Sequence, residues 1–121
     1  MCGSAETGRR GEQIAADWLR DNGFEIVERG WRSGHLEVDI IARRNGTLHF
    51  VEVKCRRNRA SAGEDFAPEF AMNAVKKQRL MAALDNYVCE NEFAGEISLD
   101  LIAVNLSGAE SSVRFYQGIQ W

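Results

Sequence analysis

Glu37, Asp39, Glu52 and Lys54 have residue types and a spacing that could hold a hard cation and work on a water molecule. They lie in two short apolar runs, Leu36 to Arg43 and Thr47 to Arg56, joined across Asn45-Gly46. That dipeptide is a strong hairpin signal, because both residues tolerate the positive φ angles of a two-residue turn. With a tight turn there, Arg44 faces Thr47, and counting outward puts Asp39 opposite Glu52 and Glu37 opposite Lys54. Side chains alternate along a strand, so all four share one face, which continues with Ile41 opposite Phe50. The other face carries Val38 opposite Val53, Ile40 opposite Val51 and Leu36 opposite Cys55, and is expected to be core.

Two carboxylates with Cβ atoms ~5 Å apart repel by about 3 kcal/mol at an effective dielectric of about 20. A shared proton, the nearby Lys54 or a divalent cation would each offset that repulsion. A chance pair of exposed charges is the plainer alternative, though like charges directly opposite are disfavoured in sheets. Glu12 adds a third carboxylate on the inward stripe of the first helix, where packing alone would prefer Ala or Leu. Its plain reading is an acid near a helix start, favoured by the macrodipole. If that helix covers the face bearing Ile41 and Phe50, Glu12 joins Asp39 and Glu52 around one cation. Mg²⁺ suits such a site, since it accepts a few carboxylates and keeps waters for substrate oxygens.

The elements that must position these groups are legible from periodicity and punctuation. Gly8 to Asn22 is expected to be a helix, with Thr7 as N-cap, Gly23 as stop and an inward stripe of Gly8, Gly11, Glu12, Ala15, Ala16 and Leu19. Phe24 to Val27, extending toward Trp31, is the first strand. From Arg57 to about Met72 the chain is polar and small and contains Pro68, so a surface loop is expected. Asn73 can cap a second helix to about Glu90, on which Leu80, Ala83, Leu84, Tyr87 and Val88 recur at helical spacing. Glu96 to Leu106 alternates as a strand, and Ser112 to Gln117 is an edge strand. The order is α-β-β-β-α-β-β, and the intervening helix lets the third and fourth strands run parallel through a right-handed crossover. A mixed sheet with helices packed on it follows, as one domain over residues 1–121.

The 15 Lys and Arg against 18 Asp and Glu leave a formal charge of −3, so the whole-molecule field opposes a nucleic acid and any such binding must be local. Local concentrations exist at Arg43 and Arg44, at Lys54, Arg56, Arg57 and Arg59, and at Lys76, Lys77 and Arg79, although charge clusters are usually solvated faces. Apolar stretches are interrupted well before the ~20 residues of a membrane helix, and no secretory signal pattern opens the chain. A cytoplasmic protein is expected. Cys2, Cys55 and Cys89 have no C-x-x-C spacing and fit reduced thiols rather than a disulfide framework or zinc site.

Gly11-Glu12 with Ala15, Leu19 and Gly23, then Glu37-Val38-Asp39-Ile40-Ile41, Phe50-Val51-Glu52-Val53-Lys54, and Asn73 with Lys76 and Arg79-Leu80 together resemble the small bacterial YraN family across essentially the whole chain. That family is similar to the PD-(D/E)XK nucleases of restriction-endonuclease-like fold, and among them to archaeal Holliday junction resolvases. The resemblance implies a Mg²⁺- or Mn²⁺-dependent endonuclease, with Asp39 and Glu52 as metal ligands and the Val53 carbonyl on the same ion. It also implies that Lys54 orients or activates the attacking water and that Glu12 is an auxiliary acid near the metal. Leu36 stands where the family commonly has glycine, and Cys55 where it has Thr or Ser.

The implied partner is nucleic acid, DNA before RNA, docked by Arg43, Arg44, Arg56, Arg57, Arg59 and Lys76; the sequence leaves a homodimer open. The alternatives are a non-catalytic nucleic-acid-binding module of the same fold, which would gain nothing from acids beside phosphates, and an interaction role motivated by Trp121. His49, opposite Ala42, reads as a packed core residue, and Asp100, inside an apolar strand, as a structural hydrogen-bonding group. His35 lies in or near a turn, where solvation is the plain reading and substrate contact the sharper one.

Overall fold

Both helices end where the backbone can turn left-handed. The computed structural model describes residues 5–57 and 74–118. Its first helix, α1 (Ala5–Asp21), stops at Gly23, whose φ is 88°. Gly23 N donates to Arg20 O at 3.1 Å and Phe24 N to Leu19 O at 2.9 Å, the paired bonds of a Schellman cap. The second helix, α2 (Ala74–Glu90), closes the same way through Glu92, at φ 50°, with Phe93 N donating to Val88 O. Because α1 begins at Ala5, Thr7 lies inside it and is not its cap. Asn73, the 58–73 segment with Arg59 and Pro68, and Trp121 lie outside the described residues.

The strands are β1 (Glu25–Ser33), β2 (Leu36–Arg44), β3 (Thr47–Arg57), β4 (Glu96–Ser107) and β5 (Glu110–Tyr116). They form one sheet in the order β1-β2-β3-β4-β5, with β3 and β4 parallel and every other neighbour antiparallel. This five-stranded mixed sheet flanked by two helices, in the expected α-β-β-β-α-β-β order, is a restriction-endonuclease-like arrangement. Among the described residues no helix is long and apolar enough to cross a membrane.

Each helix covers one face. On the α1 side, Ala15, Ala16 and Leu19 pack with Ile40, Val51, Cys55, Ile102 and Val104. On the α2 side, Leu80, Ala83, Leu84 and Tyr87 pack with Val38, Ile41, Leu48 and Phe50. The condition for Glu12 to join Asp39 and Glu52, that the first helix cover Ile41 and Phe50, is therefore not met: both faces of the hairpin are apolar, and α1 takes the one bearing Val51 and Cys55. Gly11 decides the fit, since a Cβ there would meet Cys55 Cβ at 2.6 Å and Sγ at 2.7 Å. A helix backbone can lie that close to β3 only without a side chain.

The hairpin register holds from Arg44↔Thr47 to Ile40↔Val51, and Asn45 and Gly46 have φ of 54° and 81° as a tight primed turn requires. The ladder then ends. Asp39 and Glu52, Glu37 and Lys54, Val38 and Val53, and Leu36 and Cys55 do not pair across the ladder, contrary to the counting. Strict alternation fails at the same place, since Ile40 faces α1 whereas Val38 faces α2. The neighbouring strand supplies the physical reason. Arg29 pairs with Ile40 and Trp31 with Val38, and between them Gly30 sits at φ 62°. A left-handed glycine in a strand adds local twist, and the paired β2 turns with it at Asp39. β3 continues beside β4 as far as Arg57↔Leu106, so β2 and β3 open like a fork with Asp39 at the crotch.

Candidate active site

The fork replaces a ladder bond with a side-chain bond: Val53 N donates to Asp39 Oδ2 at 2.8 Å. One carboxylate oxygen of Asp39 is thereby tied to β3. The carboxyl is pushed from its ordinary value of 3.8 up to about 8, first by burial and then by the Glu52 charge, with the Val53 amide opposing and Glu12 and Glu37 adding. Glu52 and Lys54 follow regular alternation on β3 and face α2. Lys54 Nζ lies 3.7 Å from Glu52 Oε2, both side chains being 15% exposed. Lys76, from the first turn of α2, reaches the same oxygen at 3.2 Å. Burial lowers the Lys54 ammonium below its usual range, and the neighbouring Lys76 adds to that while Glu52 opposes it. For Lys76, burial also pulls downward, but its contacts with Lys54 and Glu52 more than offset this and raise it.

Asp39, Glu52 and Lys76 line a cavity of about 220 Å³ between the fork and α2, with Lys54 behind Glu52 rather than in its wall. Asp39, Glu52 and Glu37 supply acid, Lys76 and Arg79 supply cations from the helix, and His35 and Leu36 close the lip from the β1–β2 turn. Arg32 pairs with Glu37 at 3.7 Å across the neighbouring strands. Glu12 stands apart from the cavity wall, as follows from α1 lying on the other face. Its carboxyl is raised by burial, which Arg29 opposes and Glu37 and Glu52 reinforce, so it acts on the site through charge. Among the described residues, no three His, Cys, Asp or Glu side chains form a metal-holding cluster. A two-carboxylate site still fits a hard cation, which commonly takes one or two carboxylates and keeps its waters.

The basic residues are divided. Arg43 and Arg44 sit at the turn end of the hairpin, four residues or more along β2 or β3 from the carboxylates, and serve the fold there. Arg43 donates to Glu25 Oε1 at 2.9 Å; Arg44 donates to Asn22 O at 3.0 Å and lies 4.0 Å over the Phe24 ring. The structure does not bring them to the cavity. Arg56 and Arg57 are exposed at the far end of β3, with Arg56 on the Glu52 face by alternation. Arg79 was missed as a wall residue. Its signal was present, because Lys76 and Arg79 precede Leu80 and Ala83 by one helical turn and so continue that stripe toward the start of α2.

A model of the family described as Uncharacterised protein family UPF0102 matches residues 11–104, which run from the glycine under Cys55 to the core of β4. The chain belongs to family UPF0102. It is 42% identical over 85 residues to a UPF0102 protein of Oleidesulfovibrio alaskensis, covering 70% of this chain and 40% of that protein. A UPF0102 protein of Christiangramia forsetii is 36% identical over 112 residues, 93% of this chain and 91% of its own. One from Bacteroides fragilis is 38% identical over 98 residues, covering 80% and 77%. The span matched to UPF0102 contains the fork, the cavity, all of α2 and α1 from Gly11 onward.

Proposed function

We propose that this protein is a divalent-metal-dependent endonuclease that hydrolyses phosphodiester bonds in branched or otherwise structured DNA. The observation that carries this reading is the fork itself: Asp39 and Glu52 line one cavity, with two lysine ammonium groups on the same Glu52 oxygen. A protein that only bound nucleic acid would be hindered by acids at that spot, since carboxylates repel phosphates. Asp39 and Glu52, with the Val53 carbonyl, would hold Mg²⁺ or Mn²⁺. The cation would supply positive charge for the nonbridging oxygens and lower the pKa of an attacking water.

The chain's own groups do the remaining work. The Val53 amide fixes the Asp39 carboxylate, and a ligand held in one rotamer is a better ligand. Lys54, 3.7 Å from Glu52, orients the attacking water and stabilises negative charge as it develops on the phosphate. Arg56 and Arg57 dock the backbone beyond β3. A binding module without catalysis is the second reading, favoured by the lack of a three-ligand cluster among the described residues. Linear, flapped and four-way DNA incubated with Mg²⁺ or Mn²⁺ separates the two. Cleavage by the wild type that Lys54→Ala abolishes, with binding retained, is the expected result; binding without cleavage of any substrate with either ion would establish the module instead.

A further inference from the structure

The cavity wall opposite the fork has chemistry of its own. Lys76 and Arg79 are three residues apart on α2, so their side chains emerge on the same helix face with Cβ atoms roughly 5–6 Å apart. Lys76 is held beside the carboxylates by Glu52, whereas Arg79 is exposed and has no ion-pair partner among the described residues. Both nevertheless line the same cavity as Asp39 and Glu52. That Cβ spacing is of the same order as the spacing of successive phosphates along one nucleic acid strand. The cavity, at about 220 Å³, falls below the ~300 Å³ at which small-ligand pockets begin, so it suits one segment of sugar and phosphate rather than a whole free nucleotide.

We infer that Lys76 and Arg79 form a phosphate subsite for a DNA strand, with Lys76 at the phosphate to be cut and Arg79 at the next one along. This rests on the proposed nuclease reading and adds to it the path of the strand, from the end of β3 across the fork and onto α2. Arg79 can grip that second phosphate with two parallel N–H donors, a geometry a lysine cannot reproduce. His35, on the opposite lip, bounds the sugar between the two phosphates.

The test is binding of a fluorescent duplex oligonucleotide in chelator, followed by anisotropy across a range of salt, so that no cleavage is needed. Arg79→Gln is expected to weaken binding about 5-fold, equivalent to about 1 kcal/mol, and to lower the salt slope by about one phosphate contact. Arg79→Lys should restore the slope but only part of the affinity. Arg20→Gln, on the exposed face of α1, is the control and should change neither. If Arg79→Gln binds with the wild-type affinity and slope while Arg56→Gln loses one contact, the subsite is wrong and the nuclease reading stands. If the wild type neither binds nor cuts DNA, both are wrong.

Discussion

Asp100 in β4 and Asp39 in β2 are both aspartates drawn into the same sheet, and they are held in opposite ways. Asp100, fully buried on the α1 side, is surrounded by donors: Ser98 Oγ at 2.6 Å, the Gly118 amide at 2.9 Å, and His49 Nδ1 at 2.6 Å. His49 is in turn wedged edge-on against Phe24 at 4.9 Å. This matches the expectation of a packed histidine and a structural aspartate, and it ties β3, β4 and the chain after β5 together. Asp39, on the other side of β3, receives one amide from Val53 and faces the charges of Glu52, Glu12 and Glu37, with the Lys54 and Lys76 ammonium groups near enough to feel its charge. A buried polar group with its donors supplied is part of the fold, whereas one with a single donor among several charges has the surroundings that the proposed cation site would use.

The comparison breaks most visibly in two single substitutions. Asp100→Ala leaves His49, Ser98 and the Gly118 amide without their partner, and removing one member of such a buried pair costs about 3–5 kcal/mol. In chemical denaturation it is expected to lose that much stability. Asp39→Asn keeps an oxygen for the Val53 amide and removes only the ionisable group, so without metal near neutral pH it should be at least as stable as the wild type, whose raised Asp39 loses stability on ionising in the unfolded chain. An equal loss of stability in the two variants would mean that Asp39 is as structural as Asp100.

A smaller effect separates the two aspartates by what they respond to. At an ion concentration about 100 times its dissociation constant, Mn²⁺ is expected to stabilise the wild type by about 2.7 kcal/mol, because the unfolded chain has no assembled site. Thermal melts with and without the ion should show that increment in the wild type and lose it in Asp39→Asn. Gln in place of Glu52 should act likewise, since it supplies an oxygen without charge. An increment that survived both substitutions would put the ion elsewhere.

Much of this contrast was legible in the sequence, and the part that was not has a local cause. Asn45-Gly46 set the hairpin register as far as Ile40 and Val51, because a two-residue turn leaves no slack. Counting beyond that point assumed an unbroken ladder. Gly30, an isolated glycine in β1, was the mark of the break, but its left-handed backbone acts on β2 through pairing and so is invisible in the β2 residues themselves. The side taken by α1 was hidden because Ile40 with Val51 and Ile41 with Phe50 make two equally apolar faces. Arg43 and Arg44 looked like a docking pair only while Glu25, Asn22 and Phe24 had no position relative to them.

The smallest predicted effect is the pH dependence of ion binding, and its sign follows from Asp39. An acid whose folded-state value is raised to about 8 from an ordinary 3.8 holds its proton in the native protein at neutral pH but releases it when unfolded. Its contribution to stability is therefore full below the unfolded value and is lost as pH rises through about 8. Without metal, the wild type should lose stability relative to Asp39→Asn over that window; raised Glu12 adds a fall of the same sign that both proteins share. A cation needs the carboxylate, so each ion bound expels one proton. Apparent Mn²⁺ affinity should then rise about tenfold, or about 1.4 kcal/mol, per pH unit below the Asp39 value and level off above it. Calorimetric titration at about pH 6, 7 and 8 reads both the affinity and, through the buffer's ionisation heat, the proton released. A flat wild-type profile with no proton release would mean that Asp39 is already ionised without the ion, and the distinction drawn from Asp100 would have to rest on geometry alone.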